Sequence, residues 1–205
     1  MNNLDKLIKH FEEFPGIGGR QARRFAFHIL TLEESKTREI AELITGLKSS
    51  VIECASCHRF FSQGSGSIRE CSICSDHNRD RSKLMIIERD SDIMAIERSG
   101  VYEGLYFVLG GTIPLLNSQE IKQLRSGALK ALVEARVTQD LQEIILAFAV
   151  NPDGENTGRY VESLLKDYIS EYSIKVSELG RGLSTGSELE YADPETIKNA
   201  LINRH

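Results

Sequence analysis

Apolar positions near the amino terminus fall at helical spacing. In LDKLIKHFEEF, Leu4, Leu7, Ile8 and Phe11 recur at intervals of three, one and three, which marks one face of a helix. Pro15 and Gly16 end that pattern. RQARRFAFHIL then starts a second one, with Ala22, Phe25, Ala26, Ile29 and Leu30 on one side. The connection is Pro-Gly-Ile-Gly-Gly, with Ile17 as an apolar plug between small residues. Gly16 and Gly18 are expected to take backbone conformations closed to other residue types. His28 reads as a packing residue of the second helix.

From residue 84 the rhythm changes. KLMIIE is a short apolar run ending in Glu88, SDIMAIERSG is helical, and GLYFVLGG is a second apolar run. NSQEIKQLRSGALKALVEARV reads as one long amphipathic helix. The strand EIILAFAV, the loop NPDGENTG, the helix RYVESLLKDYISEY and the strand IKVSELG follow. Apolar runs alternating with helices predict a parallel sheet with helices on its faces.

Composition adds little until it is divided. The 205 residues carry a formal charge of −5. Residues 1–83 hold 13 Lys and Arg against 11 Asp and Glu; residues 84–205 hold 12 against 19. A mildly basic front and an acidic back point to two functional regions. No apolar run approaches the roughly 20 residues of a membrane span. The start, MNNLDKLIKHFEEF, lacks the layout of a secretion signal. A cytoplasmic protein is expected, with no membrane partner.

All four cysteines lie within one short stretch, Cys54 and Cys57 in CASC and Cys71 and Cys74 in CSIC. Two C-x-x-C knuckles in this arrangement build the tetrahedral sulfur cage that Zn²⁺ prefers, with a structural role. Thiolates are not the ligands a hard ion such as Mg²⁺ selects, and a cytoplasmic setting disfavours disulfides. Between the pairs, HRFFSQGSGSIRE reads as a strand, a turn and a return strand. His58 and His77 adjoin the pairs, but four cysteines need no further ligand.

The glycine turn changes the picture of charge. Backbone N–H groups at the start of the second helix are free donors, and the helix dipole adds partial positive charge there. A phosphate fits such a site. Arg20, Arg23 and Arg24 stand beside it. Contact of this kind reads the nucleic-acid backbone, so it is sequence-independent and salt-sensitive.

In the acidic half, ligands of a parallel sheet lie beyond the carboxyl ends of the strands. Glu88 ends one strand, and Asp153 and Glu155 follow another. Converging carboxylates would hold Mg²⁺ with oxygen ligands. An N-cap Asp and a first-turn Glu account for Asp153 and Glu155 equally well.

In order, FPGIGGRQARRFAFHIL, CASC…CSIC, RDRSKLMIIERDSDIMAIERSGVYEGLYFVLGG and SELEYADPETIKNAL resemble the bacterial RecR recombination mediators, nearly end to end. The resemblance implies an α+β multidomain chain. It has a helix-hairpin-helix DNA-binding region over 1–53 and a four-cysteine zinc ribbon or knuckle over 54–80. An α/β Toprim domain with a parallel sheet over 81–177 and an assembly segment over 178–205 complete it. Glu88 matches the Glu of the first Toprim strand; Asp153 and Glu155 match its later acidic pair, with one Asp replaced. Carried over, Gly16, Gly18, Arg20, Arg23 and Arg24 face DNA. The family is similar to a clamp of dimers and ring-like tetramers. It binds RecO and RecF, and helps the RecA recombinase replace single-strand binding protein at gaps. No catalytic activity is implied.

Two other functions compete. A Toprim nuclease or other Mg²⁺-dependent phosphoryl-transfer enzyme would use the same three carboxylates. The sequence pairs no obvious nucleophile with them, and Tyr102 and Tyr106 fit a packed strand and its approach. A zinc-bearing scaffold without DNA contact is the third reading. An acidic chain that binds DNA needs oligomerisation to multiply its arginine contacts, or a basic partner to recruit it.

Overall fold

The computed structural model describes residues 1–63, 69–115, 124–180, 183, 186 and 188–202. Two compact units emerge, Met1–Ile52 and Glu53–His205.

In the first unit, α1 (Asn3–Glu12) and α2 (Gly19–Thr31) pack as a hairpin, followed by α3 (Glu34–Ser50). Asn2 starts α1 by accepting the Asp5 N–H at 2.8 Å, an ordinary N-cap. Ala22 and Ala26 are fully buried. Their small side chains allow close approach, and Phe11 meets the edge of Phe25 with ring centroids 6.0 Å apart. Leu30, expected on the apolar face, is 67% exposed. The helix α3 was not evident from the pattern.

The second unit centres on a four-stranded, wholly parallel sheet in the order β4-β3-β5-β6. Its strands are β3 (Asp80–Ile87), β4 (Gly104–Val108), β5 (Glu143–Ala147) and β6 (Lys175–Glu178). Between them run α4 (Asp90–Ser99), α5 (Ser126–Val137) and α6 (Pro152–Tyr172). The chain steps from β3 to β4 on one side and then returns past β3 to β5. Right-handed crossovers therefore put α4 on one face and α5 and α6 together on the other, and α5 and α6 do pack on each other. Leu84, Ile86, Phe107, Leu129, Val133, Ile144, Val161 and Leu165 fill the core. The four cysteines belong to the same buried cluster.

Two strands, β1 (Val51–Glu53) and β2 (Phe60–Ser62), form a small ribbon flanking the first cysteine pair. Most of the expected return strand, up to Ile68, lies outside the described residues, and the ribbon among the described residues is the one between β1 and β2. The partner of Phe60–Ser62 precedes the cysteines, and Arg69 and Glu70 carry no return strand; the glycine-serine turn itself lies outside the described residues. The amino-terminal part of the expected long helix, 117–123, also lies outside them, and α5 begins at Ser126.

NPDGENTG is not a loop. Asn151 caps α6 by accepting the Gly154 N–H at 2.8 Å, and Pro152 occupies the first turn, where its missing N–H is no loss. Gly154 is required by close approach, since a Cβ there would come 2.0 Å from the Ala149 carbonyl. A 3-10 turn (Leu189–Tyr191) and α7 (Pro194–Ile202) follow in the carboxy-terminal segment.

Tyr106 is buried and its hydroxyl donates to Glu97 Oε1 at 2.6 Å; Tyr102 donates to the Leu105 carbonyl at 3.0 Å. Both are packing residues. Glu97 also forms a two-pronged pair with Arg79, one prong at 2.9 Å, which fastens α4 to the segment leading into β3. Arg79 holds the Glu97 carboxyl below the usual carboxylate range. A depressed folded pKa means the contribution is complete above the unfolded value and is lost as pH falls through the folded one. Glu97→Gln is accordingly expected to cost about 1.5–3 kcal/mol at pH 7. The deficit should shrink below about pH 4, near an ordinary Glu pKa, as read from denaturant melts across pH. A deficit independent of pH would assign the effect to packing.

Candidate nucleic-acid interface and metal centre

The helix hairpin turns at Gly16, whose φ of +75° is open to glycine and strained for other residues. The Ile17 N–H closes the turn on the Phe14 carbonyl at 3.1 Å, and Ile17 is half-buried as expected. Gly18 differs from expectation. Its φ of −88° and ψ of 165° are ordinary extended backbone, and a Cβ would meet nothing within 4 Å. Gly18 caps α2 without a side chain, and no acidic residue stands in the first turn.

Arg20, Arg23 and Arg24 lie at spacings of three and one along α2, with Phe27, His28 and Thr31 continuing the same face. Together the six line a shallow, open groove. All three arginines are exposed, and among the described residues none has a side-chain hydrogen bond or an ion pair. In α3 of the same unit the two cations of the first turns are paired, Lys36 with Glu39 and Arg38 with Glu34, each at 2.8 Å. The α2 arrangement opposes helix stability twice over. Like charges three and four residues apart repel by about 0.2–0.5 kcal/mol per pair. Cations near a helix amino terminus oppose the dipole by a similar amount or somewhat more. An anion would relieve both. His28 is exposed on this face, which corrects its reading as a packing residue. It, Phe27 and Thr31 were missed, although their spacing from Arg20, Arg23 and Arg24 is visible in the sequence.

In the second unit, one ligand atom from each of Cys54, Cys57, Cys71 and Cys74 lies within 4.8 Å of the others. Cys57 Sγ and Cys71 Sγ are 3.7 Å apart. A tetrahedron with metal–sulfur bonds of about 2.3 Å has edges of about 3.8 Å, so the spacing fits a metal ion and suits zinc. Four thiols this close cannot all ionise without a cation between them. Contact with Cys57 holds Cys54 far below the ordinary thiol range, while contact with Cys54 pushes Cys57 and Cys74 above it.

The knuckles are fixed to the sheet. The Val108 N–H of edge strand β4 donates to the Cys57 carbonyl at 2.9 Å, and Asp90 accepts the Phe60 N–H at 2.7 Å. His58, at a left-handed φ of 61°, places Nδ1 2.6 Å from Glu53 and its ring edge on Phe107. Glu53 in turn pairs with Arg125 at 3.1 Å.

Glu88, Asp153 and Glu155 stand near the carboxyl ends of β3 and β5. Glu88 pairs with Arg89 at 2.7 Å. Asp153 and Glu155 lie in the first turn of α6, where Asn151 is the cap. Asp153 accepts the Leu115 N–H at 3.1 Å, and Glu155 pairs with Arg159 at 3.5 Å. Among the described residues, the one group of three or more such side chains close enough to hold an ion is the four-cysteine group. Glu155 also borders a cleft of about 240 Å³ beside Phe148, Val150 and Leu179. No helix of the described residues is long and apolar enough to cross a membrane.

The chain combines a helical hairpin with an arginine face, a four-cysteine cluster and a four-stranded parallel sheet. A helix-hairpin-helix model of RecR matches residues 4–47, a Toprim domain model residues 82–179, and a RecR C-terminal model residues 182–205. Recombination protein RecR of Staphylococcus saprophyticus is 34% identical over 98% of this chain and 96% of its own length. The protein of the same name from Staphylococcus aureus strain JH9 is 35% identical, with the same coverage of each chain. The chain belongs to the RecR family of recombination proteins.

Removing metal with a chelator, or Cys71→Ser, is expected to lower the melting temperature of the full chain by roughly 10 °C or more, at about 2–4 °C per kcal/mol for a chain of this size. Circular dichroism with and without chelator reads it directly. An unchanged melt would show that the knuckles stand without an ion.

Proposed function

We propose that this protein is a non-catalytic, DNA-binding recombination mediator in recombinational repair. Its arginine face takes the phosphate backbone, and it acts as a clamp-like oligomer with RecO, and with RecF where the host has it, to help load RecA at single-stranded gaps. It works in the cytoplasm, at the nucleoid during repair. The observation that carries this reading is the exposed face of α2, where Arg20, Arg23 and Arg24 lack ion-pair partners among the described residues. Gly16 gives the turn its shape; the Glu12 carboxylate reaches the backbone at Gly19, so the phosphate contact is assigned to the arginine face.

Zn²⁺ is the ion proposed for the four cysteines, in a structural role. Assembly into a homodimer or tetramer ring is supported by apolar faces that it would bury: Leu43, Ile44 and Leu47 on α3, and Leu201 and Ile202 on α7, all exposed. An acidic chain gains from assembly, because linked subunits raise the effective concentration of weak phosphate contacts. The alternative, Mg²⁺-dependent phosphoryl transfer, has weaker support. Glu88, Asp153 and Glu155 each have a neighbour of their own in place of a shared ion site.

Arg23→Ala combined with Arg24→Ala tests the reading. Binding to duplex DNA should weaken, and the slope of log K against log salt should fall by about 0.9 for each lost phosphate contact. Thermal stability should hold or rise slightly, because two unfavourable charges leave α2. Unchanged affinity and slope would overturn the assignment of this face.

A further inference from the structure

Arg136, in the last turn of α5, has a side chain only 9% exposed. One guanidinium nitrogen, Nη2, donates to the Arg81 carbonyl on β3. The other, Nη1, is buried without a hydrogen-bond partner, and so is Asp140 Oδ1. Asp140 is the nearest acid, at 4.0 Å, and its side chain is 39% exposed. Burial pushes the Arg136 guanidinium below its ordinary pKa and the neighbouring Arg81 adds to the depression, while Asp140 and, more weakly, Tyr102 and Cys74 act in the opposite direction. A guanidinium this buried is unfavourable unless negative charge compensates it, and one carboxylate at 4.0 Å is weak compensation.

The space beside it identifies the rest. Arg136 lines a cavity of about 150 Å³ together with Arg81, Gln139, Ser56, Glu70 and Cys74. Arg81 Nη2 reaches the Cys74 carbonyl at 3.5 Å, so a chain of contacts runs from α5 through β3 to the second cysteine knuckle. Four thiolates around a divalent ion leave a net charge of −2. Glu70, held by the Ser56 hydroxyl, adds one more negative charge on the same cavity. Two arginines therefore face a negatively charged wall. A free anion in this cavity would be repelled by Glu70 and by the thiolates.

We propose that Arg136, supported by Arg81, is the counter-charge of the metal-bound cysteine centre, so that metal occupancy and the seating of α5 on the sheet are coupled. Arg136 is a positioning residue in this role, acting across the cavity on Cys74. The proposal rests on the reading that the four cysteines hold a divalent metal ion. It has a consequence of opposite sign in the two metal states. With metal bound, removing the charge weakens the centre. Without metal, Arg136 is an uncompensated buried cation, and removing its charge relieves the fold.

The test uses the full chain, purified with zinc, as wild type, Arg136→Met and Arg136→Lys. Metal content is measured first, then the rate of zinc release to a chromogenic chelator, then the melting temperature with and without metal. Arg136→Met should release zinc about tenfold faster or more, the scale on which outer-shell contacts act on bound metal. Arg136→Lys should stay within about threefold of wild type, because it keeps the charge. The Met variant should melt below wild type with metal and at or above it without. Equal release from wild type and Arg136→Met, at one zinc per chain in each, would overturn the counter-charge role while leaving the metal site intact. A parallel loss of stability in both metal states would also overturn it, by showing a packing role alone. Wild type that retains no zinc would remove the metal reading and the proposal with it. Should Arg136→Met fail to fold, Arg136→Lys decides: release near the wild-type rate supports the role, and tenfold faster release contradicts it.

Discussion

Three guanidinium groups on one face of α2, without acidic partners among the described residues, set the constraint on which the functional account depends. A helix selected for stability alone would place acids in its first turn and alternate its charges, as α3 does with Glu34, Arg38, Lys36 and Glu39. In α2 the same chain does the reverse. The hairpin tolerates it because its packing rests on the other side, where Ala22 and Ala26 are fully buried. One face of α2 holds the hairpin and the other carries an excess of positive charge that a polyanion would neutralise.

The second unit solves a different problem. A short cysteine segment cannot build a core of its own, and here it does not have to. Its four sulfurs belong to the buried cluster of the parallel sheet, and the Cys57 carbonyl covers the open edge of β4 at Val108. The knuckles thus complete the sheet edge while the sheet supplies their hydrophobic support. Arg79 and Glu97 fasten the exit from the second knuckle to α4, so the sequence between the cysteines and β3 is pinned at both ends.

Much of this was legible in the chain. The cysteine spacing, the hairpin around Pro15 and Gly16, and the alternation of apolar runs with helices all follow from local rules. What escaped reading depended on tertiary context. Asn151 and Pro152 signal a helix start, but the glycines and polar residues after them resemble a loop. Gly154 is in the helix because the Ala149 carbonyl leaves no room for a side chain. His28 neighbours apolar positions, which favours a packing reading, yet its four-residue spacing from Arg24 puts it on the arginine face, and the depth of Ala22 and Ala26 fixes that face outward. The strand Val51–Glu53 that pairs with Phe60–Ser62 precedes the cysteines and carries too few residues to stand out in the sequence. Arg136 gave no signal at all, since burial of a charged residue at the end of an amphipathic helix is set by what lies across from it. Glu88, Asp153 and Glu155 follow β3 and β5 in the chain, but their partners Arg89, Arg159 and the Leu115 N–H depend on side-chain geometry that the sequence does not carry.

The most direct measurement of the central claim is hydrogen exchange of the full chain with and without duplex DNA at low salt, read peptide by peptide. Protection concentrated over residues 16–31, fading as salt rises, is the predicted result. Protection centred instead on the segments carrying Glu88, Asp153 and Glu155, with the turn and α2 exchanging as in the free protein, would contradict it.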